Sequence, residues 1–168
     1  RCLVGSEMCI RDSNDAVRAV LPELLKTFQV IHLCGKGKLD ESLKNTKGYV
    51  QYEYIKKELA DLFALADVVI SRAGANAICE LSALKKPNLL IPLSARASRG
   101  DQILNARSFE RMGYSVVLEE EEITNEKLLE TIHSLYKNRA SYADAMSKSK
   151  LTDSIEEIVR LFEQAVNK

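Results

Sequence analysis

Short apolar runs alternate along the chain with longer segments in which apolar residues recur every three or four positions. The runs are rich in β-branched residues and have the length of buried strands, whereas the longer segments have helical spacing. Strands are predicted at Phe28–Cys34, Tyr49–Tyr54, Asp67–Ser71, Asn88–Leu93 and Tyr114–Leu118. Nearly continuous apolar strands that alternate with helices are typical of a parallel sheet covered on both sides. We therefore expect an α/β fold: a Rossmann-like parallel sheet with helices on both faces.

The helical segments are bounded by ordinary start and stop signals. Ser13 and Asp101 are N-cap candidates, Gly113 ends a helix, and Pro22 is expected to bend the first one. Four consecutive acids, Glu119–Glu122, are predicted to form a solvated loop. Helices are predicted at Asn14–Thr27, Leu39–Asn45, Glu58–Ala66, Ala75–Lys85, Gln102–Met112, Asn125–Lys137, Ala140–Lys148 and Asp153–Asn167, the last three being C-terminal to the sheet.

The first thirteen residues fit poorly with this pattern. The string RCLVGSEMCIRDS shows no clear period and resembles a peptide translated from sequencing-adapter DNA. We predict that residues 1–12 are a non-native or disordered leader and that residues 13–168 form one domain. The alternative is a short strand, Cys2–Val4, that ends in a turn at Gly5 and Ser6.

Composition excludes several classes of protein. The chain has 168 residues with 24 basic and 24 acidic side chains, and a net charge near zero argues against a nucleic-acid binder. No apolar run approaches the roughly 20 residues of a membrane span, and no secretory signal opens the chain. Four cysteines without CxxC spacing and two histidines indicate neither a zinc site nor a disulfide framework. We expect a reducing, cytosolic environment and a protein without metal or cofactor.

The stretch Ala66–Glu80 carries the clearest candidate site. An apolar strand is followed by a turn that contains Gly74 and by a helix that begins at Ala75. Unpaired N–H groups and the dipole at a helix N-terminus favour an anion, so this stretch suits a phosphate or a nucleotide. Glu80 lies farther along the same helix, where its carboxylate could accept hydrogen bonds from a sugar diol. The alternative is an ordinary strand-to-helix turn that binds nothing.

Two further loops belong to the same edge of the predicted sheet, because ligands of such sheets lie beyond the carboxyl ends of the strands. Gly35–Lys38 suits either an anion or a plain turn. Asp101 and Gln102 suit either sugar hydroxyls or an ordinary helix start. His32 and His133 are predicted to be structural. No general base is evident, so no catalytic residue is predicted in this chain.

Four motifs taken together point to a family. They are CGKG (Cys34–Gly37), YIKKELADLFALADVVISRAGANAICEL (Tyr54–Leu81), KKPNLLIPL (Lys85–Leu93) and SRGDQILNA (Ser98–Ala106). In order and spacing, the chain from Asn14 onward resembles the C-terminal, donor-binding domain of the bacterial peptidoglycan N-acetylglucosaminyltransferases, the MurG family of the GT-B superfamily. The resemblance covers roughly nine-tenths of the chain.

The resemblance implies an inverting glycosyltransferase that moves GlcNAc from UDP-GlcNAc to lipid-linked MurNAc-pentapeptide, converting lipid I to lipid II. The resemblance implies that the Ile55 backbone contacts the edge of the uracil and that Glu80 binds the ribose hydroxyls. It also implies that Gln102, with Asp101, contacts the GlcNAc hydroxyls. Asn105 would tie its helix to the neighbouring loop, and Arg72 is similar to a family arginine without an assigned role. The nucleotide would be held along Ala75, Asn76, Ala77, Ile78, Cys79 and Glu80.

The resemblance also implies a second domain that this chain lacks. The family's N-terminal domain binds the lipid acceptor and supplies the proposed base, and a glycine-rich loop with its central strand is expected just before Asn14. We therefore expect an inactive fragment of a peripheral enzyme at the cytoplasmic face of the bacterial membrane. Two alternatives remain: a stand-alone UDP-GlcNAc-binding subunit of a dolichol-pathway GlcNAc-transferase, and a non-catalytic nucleotide-sugar-binding module.

Overall fold

Six parallel strands form one sheet in the computed structural model, which describes residues 1–5, 11–55, 58–95 and 100–149. The strand order is β3-β2-β1-β4-β5-β6. The strands are β1 Cys2–Gly5, β2 Val30–Leu33, β3 Tyr49–Tyr52, β4 Val68–Ser71, β5 Asn88–Leu90 and β6 Ser115–Val117. The helices are α1 Arg11–Leu24, α2 Leu59–Leu65, α3 Ala75–Ala83, α4 Asp101–Arg111, α5 Asn125–Lys137 and α6 Arg139–Ser147. The predicted α/β class and the five predicted strands are confirmed.

Side chains alternate between the two faces of the sheet, as the period of a strand requires. One face packs Val4, Val30 and Ile70 against apolar residues of α1 and α5. The other packs Leu3 and Val69 against α3 and α4, with α2 partly buried on the same side. Helices therefore cover both faces. Because all strands are parallel, their carboxyl ends and the starts of the following helices share one edge.

The first residues form the central strand of the sheet. β1 pairs with β2 on one side and with β4 on the other, with Cys2 opposite both Val30 and Val68. Cys2, Leu3 and Val4 are all buried. The prediction of a disordered leader is therefore wrong for β1. The alternative of a short strand is correct, although the strand includes Gly5, where a turn was predicted. Three apolar residues are enough here because the strand is covered on both faces. That residues 1–12 are non-native stays a prediction.

Several element boundaries differ from those predicted. The helix predicted at 39–45 is a single 3-10 turn, Glu41–Leu43, whose start is capped by the Asp40 carboxylate at 3.0 Å from the Ser42 amide. Pro22 lies in the last turn of α1, and the bend predicted there stays a prediction. α3 ends at Ala83, and Lys85 adopts φ 53°, a left-handed conformation that is usual just past a helix end. The helix predicted at 153–167 lies outside the described residues.

Candidate functional site

The N-terminus of α3 lies at the carboxyl edge of the sheet, directly after β4. Its first intrahelical hydrogen bond runs from the Ile78 amide to the Gly74 carbonyl at 3.0 Å. The amides of Ala75, Asn76 and Ala77 precede that bond and, by helix geometry, have no partner within the helix. The N-cap residue Gly74 has no side chain to accept from them. The arrangement leaves three N–H groups and the positive end of the helix dipole available to an anion.

Gly74 is not required by local geometry. Its φ of −67° is accessible to any residue, and a Cβ built on it meets no atom within 4 Å among the described residues. A Cβ is thus accommodated by the described part of the chain. The described residues therefore leave the position of a Gly74 side chain uncovered.

The other predicted residues of α3 divide between the core and the surface. Asn76, Cys79 and Glu80 are exposed. The Glu80 carboxylate makes no hydrogen bond or ion pair with any described residue, so both of its oxygens are available to a ligand. Ile78 is buried in the core beside α4, and its amide already bonds Gly74. Within this stretch, Glu80 is therefore the charged group that can contact a ligand.

The start of α4 is held beside the start of α3. The Gln102 side-chain oxygen accepts from the Leu93 amide at 3.1 Å, just after β5. The Asn105 amide group donates to the Ala73 carbonyl at 3.5 Å, which confirms that Asn105 ties its helix to the neighbouring loop. Asp101 is exposed in the first turn of α4. The structure thus brings Asp101 and Gln102 to the same edge of the sheet as the open end of α3.

Ile55 lies farther from this group. It follows β3, the edge strand, and the sheet order places β2 and β1 between β3 and β4. Ile55 is at the carboxyl edge and half-buried, and no hydrogen bond within the described ranges joins it to the α3 or α4 residues. Its part in a shared site stays a prediction.

The loop at Gly35–Lys38 is explained by its own contacts. Gly35 and Gly37 have φ of 84° and 70°, conformations that favour glycine. The Gly37 amide donates to the Glu53 carboxylate at 2.7 Å, and the Arg18 guanidinium donates to the Lys38 carbonyl at 2.6 Å. Because a carboxylate of the protein already occupies the Gly37 amide, the loop is better described as a turn than as an anion site.

The acidic run Glu119–Glu122 is not the solvated loop that was predicted. Glu120 forms a largely buried ion pair with Arg72, with 2.7 Å between Oε1 and Nη2. Glu119 pairs with Arg107 of α4, and Glu122 pairs with Lys127 of α5. Glu120 could not be identified from the sequence, because nothing in four identical residues distinguishes the one whose partner lies 48 positions away.

Neither a metal-binding cluster nor a membrane-spanning helix occurs in the described part of the chain. No three His, Cys, Asp or Glu side chains there cluster closely enough to hold a metal ion. That the protein works without a metal or cofactor stays a prediction. No helix in the same ranges has both the length and the apolar character needed to cross a bilayer.

Comparisons with known proteins agree on one family. The model of the glycosyltransferase family 28 C-terminal domain matches residues 2–160. The UDP-N-acetylglucosamine--N-acetylmuramyl-(pentapeptide) pyrophosphoryl-undecaprenol N-acetylglucosamine transferase of Lachnospira eligens is 63% identical over 159 residues, which are 95% of this chain and 45% of that protein. The enzyme of the same name from Lachnoclostridium phytofermentans is 60% identical over 96% of this chain and 46% of its own length.

Solved structures agree on the fold. The crystal structure of Acinetobacter baumannii MurG superposes with a TM-score of 0.78 at 20% identity, over 97% of this chain and 48% of that one. At this identity the likeness concerns the fold alone. The chain spans about half the length of the curated relatives it matches.

Proposed function

Because the chain belongs to the glycosyltransferase family 28 C-terminal domain family, we propose that it is the donor-binding half of a two-domain, inverting GlcNAc transferase. The donor is UDP-GlcNAc, and the acceptor is lipid-linked MurNAc-pentapeptide. The names of the relatives support this reaction. They also favour peptidoglycan synthesis over the dolichol-pathway subunit and the non-catalytic module.

The open N-terminus of α3 carries the proposal. The amides of Ala75, Asn76 and Ala77 would donate to the diphosphate, and the helix dipole would stabilise the negative charge that develops on the departing UDP. These donors are fixed by the helix before the substrate arrives, so no reorganisation is needed as charge builds up. Helix and backbone would thereby do the work that a divalent cation does in metal-dependent transferases.

The remaining side chains have complementary hydrogen-bonding capacity. Glu80 is exposed and ionisable, and would accept hydrogen bonds from the two ribose hydroxyls. Gln102 uses its oxygen to hold the Leu93 amide, which leaves its NH₂ group as a donor to a GlcNAc hydroxyl. Asp101 beside it can only accept at neutral pH. The uracil would be read by the backbone at Ile55.

The acceptor and the base come from a second domain in this proposal. No general base is evident on the described part of the site, and the curated relatives are about twice as long as this chain. A lipid-linked acceptor brings the whole enzyme to a membrane surface, so we place it as a peripheral protein at the cytoplasmic face. We expect the 168-residue chain to bind donor weakly and to show no turnover on a lipid I analogue. Turnover by this chain alone would contradict the assignment of the base to a second domain.

Calorimetric titration of the 168-residue chain with UDP-GlcNAc tests the donor site. Glu80→Ala removes a carboxylate that makes charge-assisted hydrogen bonds, so we expect a loss of about 1.5–3 kcal/mol, or roughly 10- to 100-fold in affinity. Gln102→Ala should weaken UDP-GlcNAc and leave UDP nearly unchanged. Glu121→Ala is the matched control, because Glu121 is exposed and lies outside the site. Unchanged affinity in Glu80→Ala would contradict the proposed site.

A further inference from the structure

A buried arginine lies directly behind the candidate site. Arg72 is the first residue after β4, its side chain is 5% exposed, and it pairs with Glu120, whose side chain is 17% exposed. Burying two charges carries a desolvation penalty that can exceed the attraction between them. Well-packed apolar residues in their place often give equal or greater stability. Stability alone therefore does not account for the pair, whereas its hydrogen bonds to backbone groups do.

Both members of the pair form hydrogen bonds with the same short segment, residues 91–94, which follows β5. The Arg72 Nη1 donates to the Ile91 carbonyl at 3.3 Å and to the Pro92 carbonyl at 3.5 Å. The Glu120 Oε2 accepts from the Ser94 amide at 3.1 Å, while its Oε1 meets Arg72. One end of the segment is thus fixed through its carbonyls and the other through an N–H.

Gln102 is attached between these two fixed points. Its side-chain oxygen accepts from the Leu93 amide, the residue that lies between Pro92 and Ser94. Any shift of the segment therefore moves the group that orients the Gln102 side chain. An apolar pair in place of Arg72 and Glu120 would fill the same space but could not hold backbone groups in fixed directions.

We propose that Arg72 and Glu120 are positioning residues for the donor sugar: they fix residues 91–94 so that Gln102 presents its NH₂ group to a GlcNAc hydroxyl. The inference rests on the proposed function, since it takes the ligand of Gln102 to be the hexose. Neither residue touches the sugar. The nucleotide is held by α3, so the pair governs the added affinity of UDP-GlcNAc over UDP.

Glu120→Gln tests the proposal, because it keeps the size of the side chain and removes the charge that faces Arg72. Affinities of the 168-residue chain for UDP and for UDP-GlcNAc are measured by calorimetry. We expect the ratio of the UDP Kd to the UDP-GlcNAc Kd to fall by roughly fivefold to tenfold, the scale of one hydrogen bond. The affinity for UDP should stay within about twofold of that of the unsubstituted chain. Glu121→Gln removes the same charge from the next, exposed residue and should leave the ratio unchanged.

Hydrogen exchange of the peptide that covers residues 91–95 provides a readout independent of ligand. Glu120→Gln should exchange faster there, and Glu121→Gln should match the unsubstituted chain. Arg72→Lys keeps the positive charge but loses the planar fork that reaches two carbonyls and a carboxylate, so it should also lower the ratio.

The possible outcomes separate the two hypotheses. An unchanged ratio in Glu120→Gln, or an equal loss of UDP and UDP-GlcNAc affinity, overturns the positioning role and leaves the donor site intact. Equal exchange in Glu120→Gln and Glu121→Gln likewise overturns it. Absence of UDP-GlcNAc binding by the unsubstituted chain overturns the proposed function itself, and the sugar-positioning role with it.

Discussion

The side-chain oxygen of Asn14 lies 2.9 Å from Nε2 of His32, and this contact determines the tautomer of the ring. The Asn14 amide nitrogen donates to the Cys34 carbonyl at 2.9 Å, so its oxygen must accept from His32. Nε2 therefore carries the hydrogen, and Nδ1 accepts from the Tyr49 hydroxyl at 2.8 Å. The neutral ring satisfies every partner in this buried group, as expected for a structural histidine.

Stability should decrease on mild acidification because of His32. Burial lowers the pKa of His32 to about 4, and the nearby Arg18 guanidinium adds to the lowering. In the unfolded chain His32 has a pKa near 6.5, so between about pH 6.5 and pH 4 it is protonated there but neutral in the folded protein. The free energy of unfolding therefore falls as the pH drops through this range. We expect a loss of about 2 kcal/mol between pH 7 and pH 5, measured by urea unfolding.

Glutamine substitutions at the two histidines control this experiment. His32→Gln should flatten the pH dependence in that window, whatever its effect on absolute stability. His133→Gln should preserve the slope, because His133 is exposed on α5. An equal slope in the His32 variant and the unsubstituted chain would assign the pH dependence to other groups.

Lys85→Gly should stabilise the fold. Lys85 has φ 53°, and its amide and that of Lys86 close the end of α3 by bonding to Ser82 and Leu81. A residue with a Cβ is strained in this region, and glycine is not, so we expect a gain of about 1 kcal/mol and a rise of roughly 2–4 °C in Tm. Lys85→Ala removes the same charge but keeps the Cβ, and should show no such gain. Equal stability of the two variants would contradict strain at this position.

Gly74→Ser should weaken UDP without harming the fold. A serine hydroxyl at the N-cap would accept from the amide of Asn76 or Ala77, adding a few tenths of a kcal/mol to helix stability. The same hydroxyl would occupy a donor that the diphosphate needs, and we expect UDP affinity to fall roughly fivefold. Calorimetry and thermal unfolding measure the two effects.

Gly74→Ala separates capping from bulk, because it adds a carbon without an acceptor. A similar loss of UDP affinity in Gly74→Ala would show that the added carbon is responsible. Full UDP affinity in both variants would contradict a diphosphate at this end of α3.

Cys79 offers a direct report on occupancy of the site. It is exposed between Ile78 and Glu80, whereas Cys2 and Cys34 are buried. Burial raises the pKa of the Cys2 thiol to about 12 and also raises that of Cys34, so both should react slowly with maleimide. In a Cys9→Ser background, UDP-GlcNAc at 100 times its Kd leaves about 1% of the chain free and should slow Cys79 alkylation at least roughly tenfold. An equal concentration of AMP should have little effect, and alkylation unaffected by UDP-GlcNAc would place the nucleotide elsewhere.

Much of the site could be predicted because its signal is local. The apolar run of β4, the glycine turn and the start of α3 lie within fifteen consecutive residues, Ala66–Glu80. A helix that begins there must expose its first amides, whatever the rest of the fold does. β1 was the exception among the strands, since Cys2–Val4 is too short to show a period and gains its burial from β2 and β4.

The sequence by itself determined which apolar residues of β2–β6 face the core and where β4 turns into α3, because side-chain period and turn chemistry are properties of neighbouring residues. Only the tertiary structure decided which polar groups meet. In the sequence Glu120 cannot be distinguished from the other three glutamates of its run. In the structure the ends of β4, β5 and β6 lie side by side and bring it to Arg72 and Ser94. The sequence shows His32 only as a strand residue, whereas its tautomer is set by Asn14 and Tyr49 in the folded protein. Such pairs depend on the order of strands in the sheet, which no local pattern records.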